Sequence, residues 1–262
     1  MQIFDTGDVR LHYRVDGPAD GQPVVFANSL GTDLRLWDPI LPLLPEGLRL
    51  IRWDKRGHGL SSAPTGSYSM GALISDCERL LDHLEVRECV FVGLSIGGMI
   101  AQGLAVKRLD LIRAVVLSNT AAKIGNPALW DERIAAVHKG GIESLADAVM
   151  ERWFSAQFRT TPELELWRNM LVQQTNAGYA GCSAAISGTD FYTPTSGLRL
   201  PCLGIAGTED GSTPPDLVRE TTDLVPGSKF HLIRRAGHLP CVEQPVEYAR
   251  VLTDFLREVS HV

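Results

Sequence analysis

Short hydrophobic runs of strand length recur along the chain, and several of them contain almost no polar residue. Such runs are typical of strands that are buried on both faces of a parallel sheet. They occupy residues 24–27, 49–53, 89–93, 114–117, 202–206 and 230–233. Between most of them lie segments with apolar residues at helical spacing, such as residues 70–84. Strands that alternate with helices predict a doubly wound, mostly parallel α/β sheet.

The alternation of strand and helix fails once, between Asn119 and about Thr195. Three helical patterns follow one another there, at residues 128–138, 142–154 and 162–175. A helical insertion between two strands would lie over the carboxyl ends of the strands, where open α/β sheets bind ligands. We therefore predict a helical cap formed by residues 121–195 on a core formed by residues 1–120 and 196–262.

Composition and charge narrow the function classes. The chain has 262 residues, which fits one large domain or one domain with an insertion. Hydrophobic residues make up 44% of it, enough for a substantial core. The formal net charge of −6 argues against nucleic acid and anionic membranes as partners, because both call for a basic patch. The sequence leaves the oligomeric state open.

Further features of the sequence predict a cytoplasmic protein. No stretch approaches the roughly 18 uninterrupted apolar residues of a membrane helix, and the first residues lack the charged and apolar regions of a signal peptide. The five cysteines are odd in number, widely spaced and without a C-x-x-C pair. We expect most of them to be small core residues in a reducing compartment, neither disulfide partners nor zinc ligands.

The strongest chemical motif is a Gly-x-Ser-x-Gly pattern at residues 93–97, with Ser95 at its centre. It follows a strand run and precedes a helical pattern at residues 99–106. This context resembles the nucleophile elbow of the α/β-hydrolase fold, in which small neighbours leave room for a sharp turn that lifts the serine oxygen into a cleft. A chance match in a chain with 25 glycines is the alternative, and the strand–turn–helix context favours the elbow. We therefore predict the α/β-hydrolase fold with Ser95 as nucleophile.

A serine nucleophile needs a base within hydrogen-bond reach, and that base must itself be oriented by an acid. In this fold the three groups follow the chain order serine, acid, histidine. His238 follows the last strand run and fits this order, whereas His58, the main rival, precedes the serine. For the acid, Asp210 and Glu209 both follow the fifth strand run. The spacing from Gly207 favours Asp210, and Glu209 is then a solvated turn residue.

Two backbone N–H groups should form the oxyanion hole that stabilises the tetrahedral intermediate. One belongs to Ile96, the residue after the nucleophile, and the other lies in the loop after the first strand run. We assign this second donor to Leu30. The Ser29 side chain would help the oxyanion or the substrate, with plain capping of the loop as the alternative.

A segment dense in charge, residues 54–61, also resembles a site. In this fold it is a turn after a strand, and its glycines allow tight bends. We expect Asp54 and Arg56 to hold neighbouring loops rather than to take part in catalysis.

The whole chain resembles the 3-oxoadipate enol-lactonases, serine hydrolases of aromatic-compound degradation in the β-ketoadipate pathway. The resemblance lies in residues 26–32, 53–62, 93–99, 130–133 and 151–154. The blocks around Ser95 and Asp54 are shared by many α/β-hydrolases, whereas the 28–32 loop and the cap residues are more particular to this family. Its members open 3-oxoadipate enol-lactone to 3-oxoadipate. The resemblance therefore implies a carboxylic ester hydrolase that needs no metal or organic cofactor.

The resemblance also implies that the substrate carries a free carboxylate. An acidic protein must hold that anion locally, ideally with an arginine fork. Arg133 in the predicted cap is the candidate for this contact, with Trp130 and Trp153 as walls of the pocket. A solvated helix face is the alternative for Arg133, and cap core is the alternative for the two tryptophans.

Other α/β-hydrolases that share the triad are the nearest alternatives. These are a general esterase, a perhydrolase, and a carbon–carbon bond hydrolase that acts on a ring-cleavage product. Dehalogenases and epoxide hydrolases use an aspartate at the elbow, so Ser95 argues against both. A ligand-binding receptor built on the same fold is the alternative from another class, because such receptors can keep a triad.

Overall fold

Eight strands form a single sheet. The structure, a computed structural model, describes residues 1–262. The strands are β1 (Gln2–Asp5), β2 (Arg10–Asp16), β3 (Gln22–Ala27), β4 (Leu48–Trp53), β5 (Cys89–Leu94), β6 (Ile112–Ser118), β7 (Cys202–Gly207) and β8 (Lys229–Ile233). Their order across the sheet is β1-β2-β4-β3-β5-β6-β7-β8. The pairs β1·β2 and β2·β4 are antiparallel, and the other five pairs are parallel.

The six hydrophobic runs all lie in the parallel part of the sheet, from β3 to β8. Every residue of β5 and of β7 is buried, which explains why these strands show no alternation of polar and apolar residues. The prediction of a mostly parallel α/β sheet is confirmed. The two antiparallel strands at the amino-terminal edge complete it.

Ten α-helices accompany the sheet. They are α1 (Met70–His83), α2 (Ile96–Lys107), α3 (Pro127–Gly140), α4 (Ala146–Trp153), α5 (Glu163–Val172), α6 (Asn176–Ser187), α7 (Tyr192–Ser196), α8 (Pro215–Asp223), α9 (Pro240–Glu243) and α10 (Pro245–Glu258). None of them combines the length and the apolar character that a membrane crossing requires.

Five of these helices, α3 to α7, lie in the chain between β6 and β7, where the sequence predicts a cap. The helix expected over residues 142–154 is divided into a 3-10 turn, Ile142–Leu145, and α4. Helix α6 has no counterpart among the expected helices, because its small, uncharged residues are mostly buried and show no polar face. The division of the chain into core and cap at residues 121–195 stays a prediction.

Helix α6 lies directly on the loop that follows β4. A Cβ on Gly57 would lie 2.3 Å from the Cα of Gly178, and a Cβ on Gly178 would lie 2.0 Å from the carbonyl oxygen of Gly57. Gly57 also has a φ of +80°, which residues with a side chain rarely adopt. The two glycines therefore let backbone meet backbone and bring α6 against the 54–61 segment.

The carboxyl ends of β3, β5, β6 and β7 lie at one edge of the sheet, because these strands run parallel. Asn28, Ser95 and Asn119 come directly after β3, β5 and β6. The loops after β7 and β8 contain Asp210 and His238. The predicted nucleophile, acid and base are thus delivered to the edge where open α/β sheets bind their ligands.

Candidate active site

Ser95 stands at the sharp turn between β5 and α2. Its backbone has a φ of +58° and a ψ of −120°, a strained conformation for a residue with a side chain. A Cβ on Gly93 would lie 2.3 Å from the carbonyl oxygen of Gly97, and one on Gly97 would lie 2.1 Å from that of Ala27. Only glycine therefore fits on either side of the serine. The Ser95 N–H donates to the Ser118 carbonyl at 3.0 Å and ties the turn to β6.

His238 and Asp210 form a buried hydrogen-bonded pair. The Nδ1 of His238 lies 2.9 Å from the Oδ2 of Asp210, and the two residues are 1% and 5% exposed. Because an ionised carboxylate only accepts hydrogen bonds, Nδ1 carries the proton and Nε2 keeps a lone pair. A histidine in this tautomer is able to take the proton from a serine hydroxyl.

Four further hydrogen bonds reach the Asp210 carboxylate. Its Oδ2 accepts from the Asn119 amide and from the Thr213 hydroxyl, both at 2.8 Å. Its Oδ1 accepts from the N–H groups of Ser212 and Thr213 at 2.7 and 3.0 Å. Burial alone would raise the pKa of Asp210, but His238 and the surrounding donors hold that pKa below its usual value. The carboxylate therefore stays ionised at neutral pH and keeps the imidazole oriented.

Asn119 and Thr213 are functional residues that the sequence pattern does not identify. Asn119 directly follows β6 and has a φ of +46°, a left-handed conformation that asparagine adopts more readily than most residues. Its position at the carboxyl end of a central strand is the available signal. Thr213 lies three residues after Asp210, where a short turn returns its N–H and hydroxyl to the carboxylate.

Only one of the two candidate acids reaches the histidine. Glu209 is exposed, and its carboxylate accepts from the N–H of Ala156 at 3.2 Å. Its neighbour Asp210 forms the pair with His238. The preference for Asp210 over Glu209 therefore agrees with the geometry.

The rival base, His58, lies behind the site. It does not line the cavity that Ser95 and His238 share. Its Nε2 accepts a hydrogen bond from the N–H of Gly31 at 2.9 Å. Burial and the nearby charge of Lys55 hold the pKa of His58 well below its usual value. His58 is thus a neutral acceptor that contacts a loop.

Ser29 lies beside the base as well. The hydrogen-bond partner of the His238 Nε2 is the Ser29 hydroxyl at 3.3 Å, and the Ser95 hydroxyl makes no hydrogen bond with that nitrogen. Contacts between a base and its nucleophile are often loose until a substrate binds. All three side chains line the same cavity. Ser29 is therefore close enough to the reacting atoms to contact a substrate.

The two predicted oxyanion donors are both free. Ile96 is the first residue of α2, where a backbone N–H has no partner within the helix and the helix dipole favours negative charge. Leu30 belongs to the loop of residues 28–32, which we call the oxyanion loop, and it lines the cavity. Neither N–H donates to another group of the protein. The pair is therefore available to an oxyanion formed at Ser95.

The charged 54–61 segment holds loops. The Asp54 carboxylate accepts from the N–H groups of Leu34 and Leu60 at 2.8 and 2.9 Å. Arg56 forms a bidentate pair with Asp76 at 2.6 and 2.7 Å. Both side chains are thus engaged away from the cavity, in the arrangement expected from the sequence.

The loops of the base and the acid are tied to the end of α4. The His238 N–H donates to the Trp153 carbonyl at 2.7 Å, and the Gly211 N–H donates to the Arg152 carbonyl at 3.1 Å. A Cβ on Gly237 would lie 2.4 Å from the same Trp153 oxygen. The end of this helix therefore helps to position both partners of the acid–base pair.

A cavity of about 130 Å³ opens on Ser95 and His238. Its lining includes the four residues expected to bind substrate: Ser29, Trp130, Arg133 and Trp153. The Trp130 ring is also part of the core, since it is 4% exposed and its Nε1 donates to the Ile124 carbonyl at 2.7 Å. Trp130 thus serves both as a wall of the cavity and as core. No group of three or more His, Cys, Asp or Glu side chains is arranged to hold a metal ion.

Two arginines line this cavity, and neither forms a salt bridge with an acidic side chain. The Arg133 guanidinium lies over the Trp130 ring, 4.9 Å from its centre. Burial and the charge of Arg133 lower the pKa of Arg152. Burial raises the pKa of Tyr179, which also lines the cavity, while both arginines act against that rise. Two cations without an acidic partner give this wall of the cavity a positive charge, which would favour an anionic group.

Arg152 is a further cavity residue that the sequence pattern does not single out. It precedes Trp153 in the 151–154 block, and that position is the available signal. The sequence does not show which of the charged residues Glu151 and Arg152 faces the cavity, because both lie in the last turn of a short helix. The structure shows Arg152 half-buried and Glu151 exposed.

This chain is similar over most of its length to a family model and to several known proteins. The model of the alpha/beta hydrolase family matches residues 24–251. The 3-oxoadipate enol-lactonase 2 of Acinetobacter baylyi is 35% identical over 91% of this chain and 90% of that protein. The enol-lactonase structure from Burkholderia xenovorans is 35% identical with a TM-score of 0.94, over 98% of this chain and 100% of the other. A hydrolase structure from Pseudomonas aeruginosa is 37% identical with a TM-score of 0.93, over 97% of each chain.

Replacement of Ser95 by alanine should leave a folded protein with kcat reduced by about 10⁴ to 10⁶, because the nucleophile is lost while the oxyanion donors remain. Thermal unfolding and steady-state hydrolysis of p-nitrophenyl acetate measure the two effects. An unchanged Tm together with near-native turnover would contradict the assignment of Ser95.

Replacement of Asp210 by asparagine should lower kcat by about 10⁴, because an amide permits the wrong imidazole tautomer. Glu209→Gln is the matched control, since it makes the same chemical change one residue away at an exposed side chain. We expect the control to keep nearly full activity in the same assay. A severe loss in Glu209→Gln with a mild one in Asp210→Asn would reverse the assignment of the acid.

Proposed function

The chain belongs to the alpha/beta hydrolase family, and we propose that it opens 3-oxoadipate enol-lactone to 3-oxoadipate, a step of aromatic-compound degradation. The observation that carries this proposal is that two arginines without an acidic partner, Arg133 and Arg152, line the cavity that opens on Ser95. A serine hydrolase of neutral esters has no need of two cations beside its nucleophile. A small lactone with a free carboxylate offers a carbonyl to the serine and a negative charge to the arginines.

Attack on the lactone begins at the Ser95 hydroxyl. Its oxygen adds to the ring carbonyl while the proton passes to the Nε2 of His238. The imidazolium that forms is stabilised by the Asp210 carboxylate at 2.9 Å. The negative charge on the former carbonyl oxygen is received by the N–H groups of Ile96 and Leu30.

Collapse of the tetrahedral intermediate breaks the ring C–O bond. The oxygen that leaves is an enol oxygen, which takes the proton from His238 and tautomerises to a ketone. This makes it a better leaving group than an ordinary alkoxide. Because acyl group and leaving group belong to one ring, the product of this step stays attached to Ser95. A water molecule, deprotonated by His238, then releases the free acid.

The substrate carboxylate supplies the orientation that this reaction needs. The formal net charge of the protein is −6, so an anionic substrate is attracted only where cations are gathered locally. The planar guanidinium of Arg133 lies over the Trp130 ring, and this cation–π contact favours its position in the cavity wall. A bidentate contact with such a group would hold the ring with its carbonyl toward Ser95.

The alternative hydrolases of this fold share the triad and differ in substrate. The nearest are a general esterase, a perhydrolase and a carbon–carbon bond hydrolase. The purified protein should remove the ultraviolet absorbance of the enol-lactone faster than it hydrolyses p-nitrophenyl acetate or a neutral lactone of similar size. A higher kcat/KM for either neutral substrate would contradict the proposal.

Substitution of either arginine tests the carboxylate contact. Arg133→Ala and Arg152→Ala should each cost about 2–4 kcal/mol in kcat/KM for the anionic lactone, or roughly 30- to 1000-fold, and little for the neutral lactone. Arg133→Lys should recover part of the loss, because an ammonium keeps the charge without the planar fork.

Arg168→Ala is the control for this experiment. Arg168 lies in α5, which is also between β6 and β7 in the chain, and it pairs with Glu143 and Asp147 on the surface. Its replacement changes the net charge by the same amount and should leave the hydrolysis of both lactones unaffected. Equal losses on the two lactones in the Arg133 and Arg152 variants would show that these arginines support structure instead of binding the carboxylate.

A further inference from the structure

A buried lysine lies directly behind the oxyanion loop. Lys55 stands two residues after β4 and is only 3% exposed. Its ammonium donates to the carbonyl oxygen of Ser29 at 2.6 Å and to that of Thr32 at 3.2 Å. Both acceptors belong to the loop that carries one of the two oxyanion donors. The 54–61 segment thus reaches the site through this contact, although it does not line the cavity.

The geometry of a peptide bond links this lysine to the oxyanion. The Ser29 carbonyl and the Leu30 N–H belong to the same peptide unit, and the chain has no cis peptide bond. In a planar trans peptide the C=O and the N–H point in opposite directions. A cation that holds the Ser29 carbonyl therefore directs the Leu30 N–H away from Lys55.

The next peptide unit is held in a different way. The Gly31 N–H donates to the Nε2 of His58 at 2.9 Å. This N–H is occupied, so it is not available to an oxyanion. Lys55 and His58 thus hold the two peptide units on either side of Leu30, whose N–H has no acceptor within the protein.

We propose that Lys55 is a positioning residue for the oxyanion hole, which aims and polarises the Leu30 N–H by holding the Ser29 carbonyl, with His58 holding the adjacent peptide. The proposal rests on the acyl-enzyme mechanism of the proposed function, in which the Leu30 N–H receives the oxyanion. A positive charge at a carbonyl oxygen strengthens the hydrogen bond that the same peptide donates, because hydrogen bonds in a chain polarise one another. The donor is also set in place before the reaction begins.

The loop does not need Lys55 to satisfy its backbone. The Ser29 carbonyl also accepts from the N–H and the hydroxyl of Thr32 at 3.3 and 3.0 Å. The Thr32 carbonyl also accepts from the Asn28 amide at 2.8 Å. Both oxygens therefore keep a donor when the ammonium is removed. The lysine is thus not required to satisfy the hydrogen bonds of the loop.

The ammonium is also unfavourable for folding. Burial lowers the pKa of Lys55 to about 8 from 10.5, and Cys182 of α6, Asp54 and Asp33 only partly oppose this. His58 also faces the ammonium, and its own pKa is held well below the usual value, so it adds no charge there. Between about pH 8 and pH 10.5 the unfolded chain binds more protons at this lysine than the folded chain does. The free energy of unfolding therefore rises with pH across that window, and below it the charged lysine lowers stability. A charge that is retained at such a position fits a role in the reaction.

The test compares Lys55→Met with the native protein on p-nitrophenyl acetate. Methionine has a similar length but neither charge nor donor. We expect kcat to fall about 10- to 100-fold with KM changed less than about twofold, because one oxyanion donor is weakened rather than removed. The Tm should stay equal or rise. Lys123→Met, the same substitution at a surface lysine paired with Asp190, should change none of these values.

The pH profile gives a second measurement, and the part of it made on the native protein does not depend on the folding of a variant. In the native protein kcat should decline above about pH 8 as Lys55 loses its proton, and Lys55→Met should lack this decline. A native kcat that stays level from pH 7 to about pH 9.5 would overturn the proposal. So would a Lys55→Met protein with native kcat, or one in which kcat and Tm fall together. The neutral ester does not need the arginine pair, so failure of the enol-lactone assay would contradict the substrate proposal and leave this test intact.

Discussion

Close contact of main chain with main chain holds Ser95 in a backbone conformation that residues with side chains rarely adopt. Gly97 lies against the carbonyl of Ala27 at the end of β3, and the residues that follow this strand form the oxyanion loop. The Ser95 N–H is bonded to Ser118 at the end of β6, and the next residue, Asn119, holds the acid. The turn at Ser95 is therefore in contact both with the strand that leads to the oxyanion loop and with the strand that leads to the partner of the acid. A small shift of the turn would be felt on both sides of the cavity.

The charges around the cavity follow two opposite patterns. Asp210 is buried and surrounded by donors, so its charge is stabilised and its pKa stays low. Arg133 and Arg152 line the cavity and have no acidic partner. The acid is thus satisfied within the protein, while the arginines are left for a ligand. This difference agrees with the proposed roles, in which Asp210 orients the base and the two arginines bind the substrate carboxylate.

Much of the fold and of the chemical centre can be predicted from local pattern. Buried parallel strands such as β5 are visible in the sequence as apolar runs, and a serine between glycines directly after such a run indicates a nucleophile elbow. Helix α6 cannot be predicted in this way, because helical periodicity needs a polar face and its residues are mostly buried. Asn119 and Arg152 escape prediction for a related reason. Their importance depends on which loops meet at the sheet edge and which side chains lack a partner, and neither property is local in sequence.

The two carbonyls at the end of α4 have a consequence for how such a protein could be altered. Because the Trp153 and Arg152 carbonyls accept from His238 and Gly211, the helix that supplies a cation and a wall to the cavity also braces the base and the acid loop. Specificity and reactivity therefore share one mechanical element. A variant in which the helices between β6 and β7 are replaced by those of a relative would also have to supply these two carbonyl acceptors in the same positions. A substitution that moves the end of α4 would therefore change the wall of the cavity and the position of His238 together.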